Sequence, residues 1–184
     1  MSSKDLHSLT LNYGAISKFL HWLMAFLLFF MIGLGLSLDL IPGAYKLISI
    51  KLHQLVGIIL LFLFLFRVFW SSTHSLALNA QEKKVLQVAS RIVHSLLYFF
   101  LLAMPLSGIL MCEALGREIY LWAYKVPAFI EPNRNLGINL KYFHAYASYS
   151  IMALIVLHIG AAFYHHLILK DNVMKRMLPK FIFK

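Results

Sequence analysis

Residues 142–169 read YFHAYASYSIMALIVLHIGAAFYHHLIL. The run is apolar over more than the roughly 20 residues an α-helix needs to cross the hydrocarbon core. Its length implies either a tilt or a first turn that projects from the membrane. His144 and His158 both lie inside it. A separation of fourteen positions completes almost four helical turns, so the two rings share a face and stand about 21 Å apart along the axis. An ionisable side chain at membrane depth is costly, and its presence points to function.

Outward from this run, three more stretches pass the same length test, at about residues 16–38, 50–70 and 89–111. The 184-residue chain is 61% hydrophobic and 13% charged, with a mean hydropathy of +0.77. A soluble domain is about half apolar, so lipid is the expected solvent here. The fold expected is all-α: a transmembrane four-helix bundle forming one membrane-embedded domain over 1–184. The first stretch is long for a signal-peptide core and carries His21-Trp22 near its start, so it is expected to remain as a helix.

Four helices put both termini on one side. That side receives Lys4, Lys18, Arg67, Lys83, Lys84, Arg91, Lys170, Lys175, Arg176, Lys180 and Lys184. The other receives Lys46, Lys51, Arg117, Lys125, Arg134 and Lys141. Eleven basic residues against six place the termini in the cytoplasm. The net charge of +10 reads as topology and contact with anionic lipid headgroups rather than nucleic-acid binding.

With this topology His53, early in the second helix, shares the outer level of His144. His21, early in the first helix, approaches the inner level of His158. A lone histidine in apolar surroundings is commonly a hydrogen-bonded core residue, but four at two matched levels suggest axial ligation of two stacked haems. Zinc would need several ligands converging on one tetrahedral point. The single cysteine, Cys112, leaves no C-x-x-C-H attachment site, so any haem is b-type. His94, early in the third helix, competes with His21 as partner of His158, and spacing alone leaves both open.

Small residues follow three of these histidines by one turn: Gly57, Ser148 and Ala162. They suit a flat macrocycle, or simply close helix packing. Arg67 falls on the face of His53 at the inner level, where it suits a haem propionate or a positive-inside anchor. His165 falls on the face of His158 and suits a propionate from the inner edge. No Ser-His-Asp or Cys-His triad and no phosphate loop is present.

Several segments together resemble the bacterial cytochrome b561 family of four-helix, di-haem inner-membrane proteins. They are S-K-F-L-H-W from Ser17, K-L-H-Q-L-V-G from Lys51, the stretch from His94 that ends in A-M-P-L-S-G at Gly108, and His158 to Pro179 with its K-D-N-x-x-x-R-M run. The resemblance covers essentially the whole chain. It implies iron ligation by His21, His53, His144 and His158, leaving His94 unligated. It implies two haem b and electron transfer to or from quinone. One branch is similar to a superoxide:ubiquinone oxidoreductase; the outer connections and Tyr142-Phe143 depart from that branch.

The connection 112–141 is long for a compact bundle, and loops of such length are commonly functional. Tyr120, Trp122, Tyr124 and Phe129 suit a headgroup-level segment roofing the outer haem. Lys51 and Lys141 flank the outer ligands and are candidates for steering an anion such as superoxide, or for neutralising propionates. The expected function is therefore one-electron transfer between an outer donor (superoxide or a periplasmic redox protein) and ubiquinone. A cytochrome b subunit linking a hydrogenase or dehydrogenase to the quinone pool is one alternative. A histidine-lined transporter without haem is another.

Overall fold

In the computed structural model, residues 13–74, 84–121 and 123–178 are described. Helix α1 spans Ala15–Ser37, α2 Gly43–Thr73, α3 Lys84–Ala114 and α4 Arg134–Leu167. All four are long and apolar enough to cross a membrane. Their outward faces remain apolar: Phe26 and Val156 are each 70% exposed and Phe62 64%. In water such faces would carry a large hydrophobic cost; in a bilayer they are the correct surface. The chain is an all-α transmembrane bundle.

Helices α2 and α3 extend beyond the 50–70 and 89–111 stretches at both ends, while α4 begins well before 142–169 and ends just short of its last residues. Their extra turns are amphipathic and continue past the purely apolar core. Asn133 caps α4, its side chain accepting the Leu136 N–H at 3.0 Å, and this starts the helix well before the apolar run. Pro105 lies within α3. It removes one backbone donor, which membrane helices tolerate where neighbouring groups compensate.

The closest backbone neighbours are α1–α2, α2–α3 and α3–α4. Two small cores form between them: Met24, Val56, Leu60 and Phe64 between α1 and α2, and Ile58, Cys112 and Ile119 where the α3–α4 connection meets α2 and α3.

The α3–α4 connection is shorter than the 112–141 expected, because both helices extend into it. It contains a two-residue antiparallel hairpin, β1 Tyr120–Leu121 and β2 Tyr124–Lys125. Glu113 is buried and accepts the Phe129 N–H at 3.1 Å, while the Asn133 N–H reaches the Ala114 carbonyl at 2.9 Å. These bonds pin the connection to the end of α3, and Ile119 turns inward against α2. Trp122 lies outside the described residues, as do Lys4, Lys83, Lys180, Lys184 and Pro179.

At the inner end a short helix α5, Val173–Met177, follows α4. Lys170 takes a positive φ of 52° where the chain reverses. Trp22 Nε1 donates to the Met177 carbonyl at 3.0 Å and Lys18 Nζ to the Leu178 carbonyl at 2.9 Å. The C-terminal turn is thereby tied to the first turns of α1.

Candidate functional site

Two histidine pairs form along α4. At the level nearer the hairpin, outer in the expected topology, the His53 and His144 ring centroids are 6.3 Å apart, inclined by 69°. At the inner level His21 and His158 are 6.2 Å apart, inclined by 68°. Helical period on one element and alternating chain direction on the others bring about this repetition. Both pairs join helices that are not among the closest backbone neighbours, so each pair faces across an open part of the bundle.

The separation has chemical meaning. Two metal–imidazole bonds of about 2.0–2.1 Å, plus the distance from each nitrogen to its ring centre, span about 6–6.5 Å. One iron fits between the rings of each pair. His53 Nδ1 is buried with no hydrogen-bond partner, which argues against a core histidine held only by hydrogen bonds. Among the described residues no three His, Cys, Asp or Glu side chains form a metal-ion cluster.

Around the outer pair lies a cavity of about 650 Å³, within the range of cofactor sites. Gly57 and Ser148 line it, as the spacing suggests. Two other glycines lie against the rings. A Cβ on Gly35 of α1 would stand 3.3 Å from His53 Cε1, and one on Gly108 of α3 would stand 3.3 Å from His144 Cε1. Any larger residue at either position would push a ring aside. At Gly57 a Cβ would meet only Met31 Cε, at an ordinary 3.5 Å.

The rim of this cavity carries Lys46, Arg117 and Lys141, with Asp39 paired to Lys46 at 3.5 Å. Lys141 stands where the sequence suggests. Lys51 does not line the cavity; its Nζ lies 6.0 Å from the Tyr120 ring centroid, a cation–π arrangement that braces the hairpin on α2. Lys46 was legible in principle, since it precedes His53 by two turns and shares its face. Arg117 follows the end of α3, where no period applies. Gln54 also lines the cavity and donates to Cys112 Sγ at 3.3 Å.

The inner pair draws on all four helices. Arg67 of α2 and His94 of α3 both lie close enough to His21 and His158 to act on them electrostatically. The His94 centroid is 5.2 Å from that of His158, and its Nδ1 is 2.7 Å from the Ser90 carbonyl. His165 turns its Nδ1 to Asp171 Oδ2 at 2.6 Å, tying α4 to the C-terminal turn. Burial pushes the Asp171 carboxyl up, but the bonds from His165 and the Val173 N–H, with the charges of His165 and Arg176, outweigh it and hold the pKa below its ordinary value. On the outer hairpin, Glu118 is likewise held down by hydrogen bonds from Lys125 and Tyr120.

The sequence matches the family described as prokaryotic cytochrome b561 over residues 12–180. It is 33% identical over 175 residues to cytochrome b561 homolog 2 of Escherichia coli K12, covering 92% of each chain. Against cytochrome b561 homolog 1 of the same organism it is 35% identical over 92 residues, half of this chain and 52% of the relative. It is 26% identical over 173 residues to a protein of Yersinia pestis named as a probable superoxide oxidase, CybB, covering 92% of this chain and 97% of that one. The bundle, the paired histidines and these similarities agree: the chain belongs to the prokaryotic cytochrome b561 family of membrane electron-transfer proteins, and haem b is the cofactor that membership implies.

Proposed function

We propose that the protein holds two haem b groups, one between His53 and His144 and one between His21 and His158, and passes single electrons from an outer-side donor to ubiquinone. The observation that carries this reading is the repeated centroid separation of 6.3 and 6.2 Å at two levels of one helix. His94 is too close to His158 for an iron to lie between their rings, which favours His21 as the inner ligand. Bound haem supplies the one-electron chemistry, and the protein's part is to position it and set its surroundings. Arg67 is placed to neutralise an inner propionate, and Lys46, Arg117 and Lys141 to neutralise outer ones.

In this reading the termini are cytoplasmic and the protein sits in the bacterial inner membrane. The cationic rim raises the local concentration of an anionic donor at the outer edge. Superoxide is that donor, by analogy with the Yersinia pestis relative named as a probable superoxide oxidase. Stopped-flow reduction of the purified protein tests this directly. Superoxide should reduce the haems faster than quinols do, and added ubiquinone should reoxidise them. If superoxide fails to reduce the haems while quinols succeed, the protein is instead a quinone-linked cytochrome subunit for a larger dehydrogenase.

A further inference from the structure

Ala103–Gly108 of α3 brings a hydroxyl and a glycine against one imidazole. Ser107 is only 4% exposed, a polar side chain deep within an apolar span. Its Oγ lies 2.8 Å from the Met104 carbonyl and 3.0 Å from His144 Nδ1. A carbonyl only accepts, and a serine hydroxyl has one proton to give. With that proton on Met104, the Ser107 oxygen offers lone pairs to the ring, so Nδ1 carries the imidazole proton. Nε2 is left as a bare lone pair, free to bind a metal, on a ring whose centroid is 6.3 Å from that of His53. Gly108 leaves room for this ring orientation, since a Cβ there would stand 3.3 Å from Cε1.

His53 has no such tether: its Nδ1 is buried and unpartnered. The two outer rings therefore differ in electronic character. We infer that Ser107 is a positioning residue that fixes the tautomer and rotation of His144, making it the more strongly donating of the two outer ligands. A hydrogen bond accepted from Nδ1–H raises ligand basicity and stabilises the oxidised metal. The inference rests on His144 being an axial ligand.

The test uses the full-length protein in detergent, comparing the parent with Ser107→Ala, Ser107→Thr and His144→Ala. The readouts are haem content, haem affinity by titration into depleted protein, and the midpoint potential of each haem. His144→Ala should lose one haem of two. Ser107→Ala should weaken the outer haem by about 10- to 100-fold in affinity and raise its potential. The inner haem, unchanged in the same molecules, reports that the bundle is folded. Ser107→Thr, which keeps the hydroxyl, should restore both properties. Retention of both haems by His144→Ala would overturn the ligand reading and the inference with it. Loss of a haem there, with Ser107→Ala matching the parent or Ser107→Thr matching Ser107→Ala, would overturn the inference alone.

Discussion

Gly35 and Gly108 each lie so close to an imidazole ring that a Cβ would stand 3.3 Å from its Cε1. Gly108→Ala would bring a methyl group to 3.3 Å from His144 Cε1, and a ligand ring displaced by a few tenths of an ångström loses its approach to iron. Outer haem affinity should fall by about tenfold or more, as for other disturbances of a ligand's supporting shell, while the inner haem stays. Equal haem content and affinity in variant and parent would remove the cradle. At the inner level the competing histidines separate by distance: His21→Ala should lose one haem and His94→Ala none, read as haem per polypeptide. Loss in the His94 variant alone would reassign the inner ligand. Spacing left His21 and His94 open as partners of His158, and ring distances separate them; the shared face of His144 and His158 was legible because a helix repeats at a known angle. Ser107 was not: a serine in a membrane helix is commonly satisfied by its own backbone, and only the fold reveals that His144 reaches it across α3 and α4.

Between elements, short side-chain links decide which ends are closed. Asp171 joins α4 to α5 through His165 and the Val173 N–H, and the turn then reaches α1 through Trp22 and Lys18. Because the Asp171 pKa is depressed in the fold, its contribution is present above the ordinary carboxylate value of about 3.9 and is lost as pH falls through the lower folded value. The Trp22 indole N–H resonance should hold its bonded position down to about pH 4 and shift below it, and Asp171→Asn should shift it already at neutral pH. An indole signal indifferent to both would release the turn from Asp171. The outer connection follows the same logic, with Glu113 holding Phe129 and Lys51 bracing Tyr120. Its hairpin escaped the sequence reading because a two-residue strand has no period, and helix ends were underestimated because polar turns outside the apolar core carry no hydropathy signal. Lys51, close to His53 in sequence, was a natural candidate for steering. Two residues turn a helix by about 200°, so Lys51 points away from the face of His53 and meets Tyr120 instead.

For the whole molecule, two properties follow from the arrangement of charge and of histidines. The outer rim of Lys46, Arg117 and Lys141 makes a local positive field that salt screens within about 10 Å at 0.1 M. Reduction by superoxide should therefore slow with ionic strength. Replacing the three rim cations by Gln should slow it by about tenfold at low salt, with Lys51→Gln having a smaller effect. A rate independent of salt and of the rim would remove electrostatic steering. The second property is the stacking of two histidine pairs on one helix; on the proposed reading it makes the bundle a conduit across the bilayer rather than a single-site carrier. Pyridine haemochrome assay with protein quantitation measures this most directly. The account gives about two haem b per polypeptide in the parent, as two bis-histidine pairs require, and about one in either His21→Ala or His144→Ala. One haem or none in the parent would contradict it.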